Sequence, residues 1–177
     1  MTVSRERAAA RTERRLAQLH DGSCFCGAVS YTVAGKPLLS AFCHCTNCQR
    51  LSGCPFVHTV HFLASAFAWT HAPPPGGDPA SALDAYTIPA KPWKTRYRCR
   101  TCGACVASAN ARAETRSVWG AHLARTTAAP DGAGRIADWD AVRPTAHIFY
   151  GTRMLDVPDG LGKWEGYEGK SARLGLD

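Results

Sequence analysis

Apolar and polar positions along this chain follow the two-residue period of half-buried strands more than any helical period. The clearest run is Phe56-Val57-His58-Thr59-Val60-His61-Phe62, aromatic and β-branched throughout. Ala28–Val33 is a second, closed by the turn residues Gly35-Lys36-Pro37. Shorter runs at Ala85–Ile88, Thr95–Cys99, Cys105–Ser108, Ser117–Leu123 and His147–Tyr150 predict further strands. Pro73–Gly77 and Ala128–Gly134 predict surface loops, being rich in Pro, Gly or Ala with no periodic apolar face. Residues 1–20 differ. They are Ala- and Arg-rich, lack Gly and Pro, and run into Asp21-Gly22, which predicts a short N-terminal helix. No repeat and no second domain boundary is visible. The pattern therefore predicts a basic helical extension over 1–20 and one mainly antiparallel β domain over 21–177.

Composition narrows the class. At 177 residues, 45% hydrophobic and 20% charged, the chain reads as one globular domain with a core of its own. No apolar run approaches the roughly 18–20 residues of a membrane span, and the first residues hold no secretory apolar stretch. The expectation is a cytoplasmic protein without a membrane partner. Nine cysteines in a reducing compartment argue for metal ligation rather than a disulfide framework. The net charge of +7 invites a nucleic-acid reading, but five Arg against Glu6 and Glu13 in residues 1–20 supply +3 of it. Thiolates committed to zinc would lower the rest, so a nucleic-acid partner is not expected.

The cysteines are grouped. Cys24-Phe25-Cys26 is C-x-C, Cys43-His44-Cys45-Thr46-Asn47-Cys48 is C-x-C-x-x-C, and Cys99-Arg100-Thr101-Cys102-Gly103 is C-x-x-C-G. In extended backbone, residues i and i+2 share a face, so each C-x-C can turn two sulfurs toward one ion. C-x-x-C makes a tight turn with both sulfurs in reach of a metal at about 2.3 Å, and Gly103 suits that turn. Two pairs make a closed four-sulfur shell. C-x-C-x-x-C supplies three sulfurs, and three protein ligands beside an open position is the arrangement of a catalytic zinc. Spacing alone leaves open which pairs share an ion, and whether Cys54 or Cys105 adds to the second shell.

These motifs resemble the glutathione-dependent formaldehyde-activating family, also called the CENP-V/GFA domain. The similarity rests on Gly22-Ser23-Cys24-Phe25-Cys26-Gly27, on Cys43 through Gly53, on Lys94 through Gly103 and on His147-Ile148-Phe149. The resemblance implies Mss4-like antiparallel sheets with two zinc ions per chain. It implies that Cys24, Cys26, Cys99 and Cys102 hold a structural zinc. Cys43, Cys45 and Cys48 would hold the second, with a substrate thiol as fourth ligand and catalysis acting through that zinc. It further implies S-(hydroxymethyl)glutathione synthase activity, a carbon–sulfur lyase chemistry with glutathione and an aldehyde, formaldehyde, as partners. Two departures stand out: Cys54 where relatives often carry Ser or Ala, and a divergent segment over Pro73–Pro79.

Further candidates are weaker. Arg50, two residues past Cys48, is a candidate contact for a glutathione carboxylate. His44 lies between two ligand positions and should face away from the metal. His58 and His61, three apart on a strand, face opposite sides. His147 is explained by packing as well as by function. Trp69, Trp93, Trp119, Trp139 and Trp164 read as core or sheet-covering residues. The competing functions are a related enzyme for another thiol and electrophile, and a non-catalytic zinc domain that binds protein or nucleic acid through its basic arm.

Overall fold

The computed structural model describes residues 18–72, 78–126 and 134–175. Most of the predicted N-terminal helix, the Pro73–Gly77 loop and all but Gly134 of the Ala128–Gly134 loop lie outside them. Among the described residues the fold is mainly antiparallel β. A three-stranded sheet has the order β1 (Leu19–Ser23), β2 (Ser30–Ala34), β5 (Phe67–Trp69). A larger sheet contains β3 (Leu39–Cys43), β4 (Val57–Leu63), β6 (Leu83–Thr87), β7 (Lys94–Cys99), β8 (Cys105–Asn110), β9 (Thr115–Trp119), β10 (Ala146–Ile148) and β11 (Gly162–Lys163). Its strand order is β11-β10-β3-β4-β9-β8-β7-β6. Only β10 pairs in parallel, with β3 and with β11, and all three of its residues are buried. Among the described residues two short helices occur, α1 (Thr46–Ser52) and α2 (Trp139–Val142), and no helix is long and apolar enough to cross a membrane.

Side-chain parity on the large sheet divides the work of the molecule. Val60 and Phe62 of β4, Val118 of β9 and Ala107 of β8 point to one face, where they pack on Tyr31 and Val33 of β2 with Leu123, Ile136 and Val142. That is the main core. The alternate residues Val57, Thr59, His61, Ser117 and Trp119 point to the other face and line a cavity. A one-residue register slip would exchange the two sets, so core burial also fixes which polar groups the cavity receives.

Two expectations need correction, and one helix went unassigned. The N-terminal helix does not extend through residue 20, because Leu19 and His20 belong to β1. There His20 and Gly22 turn inward and the strand pairs with β2 from Leu19↔Ala34 to Ser23↔Ser30. The strand expected over Ser117–Leu123 ends at Trp119, and a 3-10 turn follows over Gly120–His122. The helix that the sequence reading did not assign begins inside C-x-C-x-x-C. Cys45 caps α1, its Sγ accepting the Cys48 N–H at 3.4 Å, so Cys48 sits in a helical first turn.

Candidate metal centres and the cavity beside them

Two cysteine clusters form, and their members are those that the family resemblance implied. In the first, Cys24 and Cys26 lie on the connection between β1 and β2, and Cys99 and Cys102 on the turn between β7 and β8. The cluster thus ties the small sheet to the large one. Cys24 Sγ is 3.6 Å from Cys26 Sγ, which is 3.8 Å from Cys99 Sγ. A tetrahedral shell with Zn–S of 2.3 Å sets sulfurs about 3.8 Å apart, and a disulfide about 2.05 Å, so the spacing is that of a metal shell. The turn is built for it. Gly103 holds φ 73° and donates its N–H to Cys99 O at 2.9 Å, a backbone state that a side chain would strain. Val29 N–H also donates to Cys24 Sγ at 3.3 Å, a contact that favours thiolate, while burial pushes the free thiol up to about 12. Only a cation resolves that conflict in favour of the charged form.

The second cluster is Cys43 at the end of β3, Cys45 at the cap of α1 and Cys48 within it. Their ligand atoms all lie within 4.8 Å of one another. Without a cation the three share protons. The hydrogen bond to Cys45 raises Cys43, and the same bond holds Cys45 down. A pocket of sulfur that stabilises one thiolate at its neighbours' expense suits a divalent metal, which would let all three ionise. Both donor sets therefore fit a thiophilic ion such as zinc.

Cys54 and Cys105 join neither cluster. Cys54 is exposed, its Sγ reaches Ser52 O at 3.6 Å, and it stands apart from the three converging sulfurs. Cys105 is a half-buried thiol packed against the buried cluster that includes Val57, Trp119 and Ile148, and burial pushes it up to about 11. Its sulfur is not among the three that converge.

The three-sulfur cluster forms part of the wall of a cavity of about 290 Å³, near the lower end of the roughly 300–1,000 Å³ range of small-molecule sites. Val57, Trp119, Ile148 and Phe149 give it an apolar wall, and Thr59, Ser117 and Tyr167 bring hydroxyls. His61 faces in, lowered to about 4 by burial and by Lys94 and Arg96, so its imidazole is neutral at pH 7. Burial, then the three cysteines, raises Tyr167 and keeps its phenol protonated. Phe149 takes φ 54°, a costly state for a residue with a side chain, and its ring meets Tyr167 at a 5.1 Å centroid distance.

The residue that the sequence offered as a carboxylate contact stands apart from the cavity. Arg50 is exposed and does not line the cavity. On α1 it lies two residues, roughly 200°, around from Cys48, hence on the opposite side. The cationic residues that line the cavity are Lys91, Lys94 and Arg96, from the β6–β7 turn and β7. Their distance in sequence from the C-x-C-x-x-C group concealed them, and only the pairing of β7 with β8, and β8 with β9, brings them near.

His44 faces away from the sulfurs as expected, and its surroundings were not legible. Its Nε2 meets His147 Nδ1 at 2.7 Å, His147 Nε2 meets Asp159 Oδ2 at 2.7 Å, and Lys163 Nζ donates to Asp159 Oδ1 at 2.5 Å. His44, His147 and Lys163 are all buried. His58 and His61 do face opposite ways: His58 contacts Ser40 and Val142 O beneath the sheet. Trp119 closes the cavity wall, Trp69 and Trp139 pack on the core, and Trp93 lies under the Arg112 guanidinium at 3.7 Å.

Fold and site together define a β protein with two cysteine clusters able to hold metal, one four-sulfur set joining two sheets and one three-sulfur set facing a cavity. The profile of the glutathione-dependent formaldehyde-activating enzyme family matches residues 19–152, and the chain belongs to that family. Among solved structures, a Rhodobacter sphaeroides protein is similar at 24% identity and a TM-score of 0.43, covering 66% of this chain and 96% of its own. No curated protein sequence matches the chain at a significant level.

Proposed function

We propose that this chain is a zinc-dependent carbon–sulfur lyase of the S-(hydroxymethyl)glutathione synthase type, binding a thiol substrate at Cys43, Cys45 and Cys48. Cys24, Cys26, Cys99 and Cys102 are assigned to a structural zinc. The observation that carries the reading is the asymmetry of the clusters. Four sulfurs close on one another where two sheets join, whereas three meet in the wall of a cavity with room for a small molecule. Bound to the three, the metal would supply a fourth position that favours the deprotonated form of a thiol and fixes its sulfur.

The chain's own residues do the rest. The apolar wall of Val57, Trp119 and Ile148 excludes water around the sulfur. In the addition, the thiol sulfur forms a bond to the aldehyde carbon, the carbonyl π pair moves to oxygen, and that oxygen takes up the proton the thiol gave. Tyr167, held protonated, and the Thr59 and Ser117 hydroxyls are the neutral donors facing the space where that oxygen would lie. Thiol addition to formaldehyde is intrinsically easy, so positioning suffices: each 1.36 kcal/mol contributes tenfold. Seven ligand thiols that must stay reduced fit a cytoplasmic setting.

The test is a titration of cobalt-substituted protein with glutathione. The reading expects a change in the visible ligand-field and sulfur charge-transfer bands, abolished by Cys48→Ser, and glutathione-dependent acceleration of S-hydroxymethyl adduct formation measured by NMR exchange. Bands indifferent to millimolar glutathione would refute it.

A further inference from the structure

Every cation that lines the cavity is unpaired. Lys91, Lys94 and Arg96 make no ion pair with a carboxylate among the described residues, and no Asp or Glu lines the cavity. The backbone that carries the surplus is held in place. The turn carrying Lys91 and Lys94 is closed by Lys91 N–H to Ile88 O at 2.9 Å, Lys94 N–H to Lys91 O at 2.8 Å and Ile88 N–H to Lys94 O at 3.0 Å. Trp93 between them is clamped under Arg112 at 3.7 Å, and Arg96 donates to the buried Ser108 hydroxyl. Lys94 is half-buried, and burial, then Arg96 and Lys91, pulls its pKa down by more than the Cys48 and Cys45 sulfurs raise it.

Charge balance says what is missing. Three thiolates around a divalent ion leave one negative charge, which three cations exceed by two. A thiol that binds as thiolate removes one of those two. We infer that Lys94 and Arg96, with Lys91 at the mouth, form a carboxylate subsite, so that the cavity selects thiols carrying at least one carboxylate and makes no demand on an α-ammonium group. This rests on the proposed thiol binding at Cys43, Cys45 and Cys48 and goes further by naming what recognises the rest of the substrate. The ammonium half follows from the lining: with no acidic side chain present, an ammonium group gains nothing inside and is best left in solvent. Glutathione satisfies the count, since two carboxylates and a thiolate against one ammonium give a net charge of minus two. A carboxylate-bearing thiol without an amine should satisfy the cavity equally.

The experiment is calorimetric binding to fully metallated protein of glutathione, its diethyl ester and its deaminated analogue, with Lys94→Gln, Lys91→Gln and Arg50→Ala variants. The subsite requires the diester to bind at least about tenfold more weakly than glutathione, as expected for lost charge-assisted contacts in a partly buried site. Deamination should leave affinity equal or tighter. Lys94→Gln should weaken glutathione by a similar factor and shrink the penalty for the diester, while exposed Arg50→Ala changes nothing. Lys91→Gln, at an exposed position, keeps the test open if Lys94→Gln misfolds, with a smaller loss in the same direction. Equal affinity for glutathione and diester overturns the subsite and leaves thiol binding standing. Selective loss on deamination overturns the claim about the ammonium. Failure of every thiol to bind overturns the function proposed above and the subsite with it.

Discussion

Replacing Asp159 by Asn keeps the shape of a side chain and removes the one charge that anchors a buried chain of contacts beneath the cysteine loop. Asp159 accepts from Lys163 Nζ at 2.5 Å, from Leu161 N–H at 3.1 Å and from His147 Nε2 at 2.7 Å. Two costs follow. The Lys163 side chain, only 4% exposed, loses its counter-ion. Breaking a buried pair from one side costs about 3–5 kcal/mol, and the low end applies because 29% of the Asp159 side chain reaches solvent. The second cost is tautomeric. In the native chain His147 donates from Nε2 and accepts at Nδ1 from His44 Nε2, leaving His44 Nδ1 a lone pair with no partner. An amide N–H turned toward His147 reverses both tautomers and gives His44 Nδ1 a buried, unpaired proton, worth about 1 kcal/mol or more. The two costs together give an expected loss of about 4 kcal/mol, measured by urea unfolding of metallated protein at pH 7.5. That pH lies above the ordinary values of both groups, roughly 3.9 for Asp and 6.5 for His. Asp159 is desolvated, which would raise it, but hydrogen bonds from Lys163 and His147 hold it well below its usual range. Its contribution is therefore complete above the ordinary carboxylate value and is lost only as pH falls through the lowered one. His147, lowered by burial, likewise contributes fully above about 6.5 and less as pH falls. Nitrogen-15 histidine spectra should show the tautomer reversal. A variant within about 0.5 kcal/mol of the parent, with unchanged tautomers, would refute the reasoning.

Four further outcomes follow from the same geometry. Elemental analysis of reduced protein should return about two zinc ions per chain. Cys102→Ser should unfold or aggregate the protein, because that cluster ties two sheets together, whereas Cys48→Ser should give a folded protein short of one ion, and identical melting of the two would remove the distinction. Cys54→Ser should keep both ions and glutathione binding, since its sulfur is exposed and apart from the cluster; loss of one zinc equivalent would show that it closes the second shell. Gly120→Ala places a Cβ 1.8 Å from His58 Nδ1, whose ring also contacts Val142 O at 3.0 Å, and should cost at least about 3 kcal/mol in chemical unfolding, with a neutral result excluding that packing.

How much the sequence decided differs between the metal clusters and the cavity. Cysteine ligation is a local signal, because C-x-C and C-x-x-C bring sulfurs together within a few residues whatever the rest of the chain does. The seven cysteines, the β class and the strands at 57–63, 94–99 and 105–110 were therefore legible to within two residues. Three things were not. The helix at Thr46–Ser52 was hidden because its first turn overlaps a cysteine motif that reads equally well as extended. The burial of His44 on His147 and Asp159 depends on β10 lying parallel to β3, a pairing with more than a hundred residues between the partners. The charge of the cavity came from Lys91, Lys94 and Arg96 instead of Arg50, because a helix turns a neighbour in sequence away from the metal. Sheet pairing brings in residues from forty positions further on. Local chemistry is written in spacing, whereas the company that a site keeps is set by strand order and register, which long-range burial decides.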